Sequence, residues 1–146
     1  MYPNERVSSF ITENFIPVRI HIKEQPAVFD RFGAQWTPTV ITLDSDGQER
    51  HRFQGFLPTE DFLAQLELGL AHAAFARKDW SGAEERYRKI VKEYSRTEAA
   101  PEALYWAGVA KYKESGDAAS LKETAEKFKK KFSKSTWAKK ASVWAA

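Results

Sequence analysis

The residue types that carry most enzymatic chemistry are sparse in this sequence. None of its 146 residues is cysteine, which removes disulfides, thiolate metal sites and cysteine nucleophiles. His21, His51 and His72 are the only histidines. Their spacing from one another and from Asp or Glu matches no ligand set, so no metal and no cofactor is expected. His21 and His51 alternate with apolar neighbours and read as solvent-facing or second-layer strand residues. Asp44 and Asp46 are spaced as a carboxylate pair, but Asp44-Ser45-Asp46-Gly47 is first of all a turn. No Gly-rich phosphate loop, G-x-S-x-G or H-E-x-x-H is present. The sequence therefore assigns no catalytic residue. Two aromatic groupings are left as binding candidates. Trp36 stands beside Thr37-Pro38-Thr39, and Tyr105, Trp106, Trp137 and Trp144 sit in helical segments. For the second group, core and cap packing is the simpler account.

The elements that must position these residues start with the stretch from Trp36 to Gly55. Thr39 to Leu43 is a β-branched run expected to be a buried strand. Gly47 supplies the positive φ of a turn, and Arg50 to Phe53 returns as a half-exposed strand. Pro38 at the entrance marks a special backbone, because proline has no N–H for a ladder. Upstream, Asn4 is placed to cap a helix whose apolar face is Val7, Phe10, Ile11 and Phe15. Val18, Ile20 and Ile22 alternate with Arg19 and His21, which predicts a strand over Pro17–Ile22. A short helix opens at Pro26 and ends at Gly33.

Pro58 opens the next helix, with Glu60 and Asp61 suited to its positive end. Helical spacing from Phe62 to Ala74 gives it a length of about 30 Å, long enough to be shared between two lobes. The second lobe repeats at a spacing of about 38 residues. Ser81 and Glu84 offer a capping box, followed by the stripe Ala83, Tyr87, Ile90, Val91, Tyr94. Pro101 begins a helix with Leu104, Ala107, Gly108 and Tyr112 inward. After Ser115-Gly116-Asp117 comes the stripe Leu121, Ala125, Phe128, Phe132.

Taken together, the aromatic-Thr-Pro-Thr step, the D-x-D-G turn, the return strand ending in Gly and the acidic-start helix resemble the second half of the thioredoxin fold. Tyr2-Pro3-Asn4 and Asn14-Phe15-Ile16-Pro17-Val18 match the wording that follows the redox motif in related proteins. The resemblance covers roughly residues 4–70. It implies a cis Thr37–Pro38 bond and a peptide-binding loop at Trp36, Thr37, Pro38 and Thr39. In that family the central strand and the Cys-x-x-Cys precede the helix that Asn4 begins, so the resemblance implies a sheet without its centre. The segments ALYWAGVAKY at 103–112 and STWAKKA at 135–141 resemble bacterial tetratricopeptide (TPR) repeats. In such repeats small residues mark close helix crossings, a role that Ala71, Ala83 and Gly108 fit. The expected fold class is α/β plus all-α: an incomplete thioredoxin-like sheet (α-β-α-β-β-α) over 1–70, continuing into TPR-like helical hairpins and a capping helix over 71–146.

Composition agrees with an ordinary globular chain, 42% hydrophobic and 29% charged. No apolar run suits a transmembrane helix, and MYPNERVSSF lacks the features of a signal peptide. The net charge is +3, but Lys111 to Lys140 holds ten lysines against four acidic residues. Such a tail suits nucleic acid or anionic lipid; a solvated helix face is the favoured account. The expected function is a redox-inactive protein-interaction module, with Tyr105, Trp106 and Trp137 as a helical interaction face. Expected partners are proteins or peptides rather than nucleic acid or membrane, including a second copy paired through an open sheet edge, and a cytoplasmic location is expected. The alternative is the C-terminal portion of a thiol-disulfide oxidoreductase whose Cys-x-x-Cys lies upstream of Met1.

Overall fold

The computed structural model describes residues 4–146; Tyr2 and Pro3 of the matched wording lie outside them. Helix α1 (Glu5–Asn14) starts where its cap predicts. The Asn4 side chain accepts from the backbone N–H groups of Arg6 and Val7 at 3.0 and 3.3 Å, satisfying two of the orphan donors at a helix start. Val7 is fully buried, and Phe10, Ile11 and Phe15 pack beside it. Helix α2 (Pro26–Arg31) has proline in its first turn, and Gly33 follows it at φ +61°.

Strands β1 (Thr39–Leu43) and β2 (Glu49–Gln54) form an antiparallel hairpin. Register runs from Thr39 opposite Gln54 to Thr42 opposite His51, then slips so that Leu43 faces Glu49. One carboxylate holds the turn. Asp44 Oδ1 accepts from the N–H groups of Asp46 and Gln48, both at 2.9 Å, while Arg50 Nε donates to Oδ2 at 2.7 Å. The bond from the Gln48 backbone, then the one from Arg50, hold the Asp44 carboxyl below its ordinary pKa.

The strand expected over Pro17–Ile22 does not form. The described residues contain a single two-stranded sheet, and this segment is not part of it. Ile16 is 93% exposed and Val18 76%. Alternation supplies a strand with an apolar face, but a strand needs a neighbour to satisfy its backbone groups, and the described residues offer none to this segment.

Helix α3 (Thr59–Ala76) is buried almost all round. Phe62, Leu63, Leu66, Leu68, Ala71 and Ala74 enter the core, and α3 touches α1, both strands, α4 and α5. Gly69 permits the closest approach: a Cβ there would lie 2.5 Å from Thr42 Oγ1. Glu67 is also buried at 1% exposure, with Lys89 Nζ at 2.6 Å and Arg86 Nη1 at 3.7 Å. These two cations on the next helix offset the cost of burying the carboxylate.

The second lobe is an antiparallel helical array: α4 (Trp80–Glu93), α5 (Ala99–Ser115), α6 (Ala119–Lys130) and α7 (Thr136–Ala141), closed by a 3-10 turn at Ser142–Ala145. The cap of α4 differs from the expected Ser81–Glu84 box. Asp79 accepts from the N–H of Gly82 at 3.0 Å, and Glu84 pairs with Arg88 one turn on. The helix thus starts earlier, because Asp79 reaches the open N–H groups first. On α6 the buried stripe is Ser120, Thr124, Ala125 and Phe128, with Leu121 half-buried. Gly108 of α5 is where α6 crosses closest, and a Cβ there would collide with the Thr124 side chain. Gly108→Ala should therefore cost about 1–3 kcal/mol of stability in a urea titration, and Thr124→Ala in the same chain should recover part of it. Additive losses would show that the crossing is not the cause.

Candidate functional site

Two places on this scaffold hold the residues with functional promise. The first is the loop entering β1. Thr37–Pro38 is cis, the Thr39 hydroxyl donates to Trp36 O at 2.5 Å, and Gly55 N–H donates to Pro38 O at 2.9 Å. The last bond fixes the parity of the ladder. Val40 and Thr42 direct their backbone groups at β2, whereas those of Thr39 and Ile41 point to the other edge. Among the described residues no strand lies on that edge. Trp36 is 67% exposed, so it does not anchor the loop in the core.

The second place is the junction of β2, α3, α4 and α5. His51 faces α3 from the hairpin, and its Nε2 lies 2.6 Å from Gln65 Oε1. Gln65 and His72 are seven residues apart on α3, two turns along one face. The His51 and His72 rings are 5.4 Å apart. His72 Nδ1 is 2.6 Å from the Tyr87 hydroxyl, and its Nε2 is 2.9 Å from Glu102 Oε2. Tyr87 is fully buried. Burial, then the nearby Glu102 charge, push its phenol far above its ordinary pKa, so it keeps its proton. His51 moves the other way: burial lowers its pKa, the Gln65 contact opposes this, and His72 adds to the lowering.

This junction corrects the expectation that the histidines share no ligand geometry. One ligand atom each from His51, His72 and Glu102 lies within 4.8 Å of the others. The three come from a strand and two helices, so no local spacing reveals them; the available signals were Gln65 with His72 on α3, and His51 sharing a strand face with Phe53. His21 stays exposed and apart, its Nδ1 accepting from the Lys23 N–H at 3.2 Å.

The expected helical face lies next to this cluster. Trp106 meets His72 edge-on at 5.9 Å and Phe75 at 5.3 Å. Tyr105 stacks on Trp144 at 4.7 Å and touches Trp137 at 5.2 Å, and these rings cover Leu104, Phe128 and Ala141. Packing accounts for much of their surface. Trp106 and Trp137 also line an open depression of about 370 Å³ with Glu49, Arg50, His72 and Glu102. The Trp36–Thr39 loop does not line it. Chemically, the junction is able to hold a proton between Tyr87, His72 and Glu102, or to offer nitrogen and carboxylate ligands.

A half-sheet leading through one helix into paired helices defines a thioredoxin-like part followed by a TPR-like array. Residues 2–70 match the model of a thioredoxin-like domain, Thioredoxin_2, and residues 56–142 match YfiO, a family described as outer membrane lipoprotein. The latter match spans more than half of the chain, and the protein belongs to that family. The two matches overlap on the first part of α3. No curated protein and no solved structure matches the chain significantly.

A histidine whose folded pKa lies below its unfolded value resists protonation only while the protein is folded. Its contribution to stability is complete above the unfolded value of about 6.5 and is lost as pH falls toward the folded one. Urea unfolding across a pH series should thus show wild-type stability declining below about pH 6.5, with a shallower decline in His51→Gln. Equal slopes would mean that His51 is not held neutral.

Proposed function

We propose that this protein is an interaction module without redox chemistry of its own, which accepts an extended polypeptide segment along the open edge of β1. The observation that carries this reading is the outward N–H and C=O of Thr39 and Ile41, on an edge with no strand beside it among the described residues. Such groups form a template for strand addition: main-chain bonds give affinity and side-chain pockets give specificity. Trp36 and the Thr37–Pro38 turn flank the entrance to that edge and supply an apolar wall for the incoming segment. The absence of thiols leaves nothing to form a mixed disulfide with the guest. The helical array would contribute a second contact surface, with Trp106 and Trp137 at its depression.

A second reading rests on the same edge. In it a longer form of the polypeptide supplies the missing strand itself, along with a Cys-x-x-Cys from residues ahead of Met1. An in-frame Cys-x-x-Cys at that position, restoring disulfide reduction when expressed with these residues, would select it.

The chain as given should reduce no insulin in a turbidity assay with dithiothreitol as electron donor; turnover above the uncatalysed rate would overturn the redox-inactive assignment. Peptides selected from a random library should shift the amide resonances of Thr39, Ile41 and Leu43. Ile41→Pro removes an outward N–H without touching the β2 ladder. It should weaken those peptides about tenfold, the worth of one strong hydrogen bond. Shifts confined to α5–α7, or unchanged affinity in Ile41→Pro, would contradict binding at the edge. Self-association lost in the same variant would identify the guest as a second copy.

A further inference from the structure

The polar cluster at the junction is more than a buried hydrogen-bond network needs to be. We infer that His51, His72 and Glu102 form a binding site for a divalent transition-metal ion of the zinc type, with the adjoining depression supplying a water as fourth ligand. The ligand set is two imidazoles and one carboxylate, a composition that suits zinc and its first-row neighbours and disfavours calcium or magnesium. The three ligand atoms already lie within 4.8 Å of one another. A tetrahedral ion with bonds of about 2 Å holds its ligands roughly 3.3 Å apart. Small side-chain rotations close that difference without moving the backbone.

The groups behind the ligands are also those a metal site needs. A ligating histidine is normally oriented by a hydrogen bond to its other nitrogen. Gln65 Oε1 can only accept, so at 2.6 Å it takes the His51 Nε2–H and leaves the Nδ1 lone pair free. The Tyr87 hydroxyl sits 2.6 Å from His72 Nδ1 and leaves Nε2, which faces Glu102 Oε2 at 2.9 Å, for the ion. Each ring thus has one nitrogen held by a neighbouring side chain and the other free to bind an ion. The three ligands arrive from β2, α3 and α5, so an ion would tie the hairpin to the helical array. It would sit beside an open depression that gives solvent a route in. This inference is independent of whether the β1 edge accepts a peptide.

Cobalt(II) is the probe, because tetrahedral cobalt gives intense visible d–d bands. Titrating tag-free protein with cobalt chloride should yield one equivalent of such bands, displaced by zinc chloride. His51→Gln and Glu102→Gln should each abolish the tetrahedral spectrum while far-UV circular dichroism shows the fold intact. Gln65→Ala should keep the spectrum but weaken affinity by about tenfold or more. If the ligand variants fail to fold, the unaltered protein still decides the matter. Zinc should then move the imidazole nitrogen-15 resonances of His51 and His72 and leave those of His21 in place. The site is refuted by an octahedral or absent cobalt spectrum, by one that survives in both folded ligand variants, or by zinc-dependent shifts at His21 alone.

Discussion

Everything in this structure depends on α3 being buried on nearly every side at once. A helix that faces a sheet and nothing else carries one apolar stripe. This one instead brings Phe62, Leu63, Leu66, Leu68, Ala71 and Ala74 into a single core shared with the hairpin, α1, α4 and α5. Close approach is possible because Gly69 presents no side chain to Thr42. Further along, the small residues Ala71 and Ala74 are buried in the same core, where α3 also meets α4 and α5. Two strands alone are marginal in water, and two helical hairpins are fewer than such arrays usually require. Each part supplies the neighbour that the other lacks.

Polar groups at the seam reinforce this arrangement. Glu67 is buried on α3 and held by Lys89 on α4, and the same contact raises the Lys89 pKa above its ordinary value. His72, further along α3, reaches Tyr87 and Glu102, while Gln65, two turns earlier on the same face, reaches His51. Burying these groups unpaired would cost more than burying apolar ones. Of these contacts, the one between Gln65 and His51 ties the hairpin to α3, whereas Glu67 Oε2 has no hydrogen bond and only Arg86 Nη1 at 3.7 Å.

Much of the architecture was legible in the sequence because it is locally encoded. The Asn4 cap, the Pro26 and Pro58 helix starts, the Asp44–Gly47 turn and the long shared helix are all signalled within a few residues. The errors fell where the outcome depends on something outside the window. Pro17–Ile22 alternates as a strand should, yet alternation says nothing about whether a neighbour exists to pair with. Ser81 and Glu84 had capping-box spacing, but Asp79 stands two residues earlier and competes for the same N–H groups. His51, His72 and Glu102 meet only after three separate elements have packed. Their spacing of 21 and 30 residues carries no ligand pattern.

The central claim is that α3 makes one cooperative unit of two unlike parts. Native-state hydrogen exchange read by NMR across low denaturant concentrations tests it most directly. The account predicts that the amides of Leu63, near the hairpin, and of Ala74, within the helical array, open with the same free energy and the same denaturant dependence. Separate opening of the first half of α3 together with β1 and β2, at a clearly lower free energy than the second half, would contradict it.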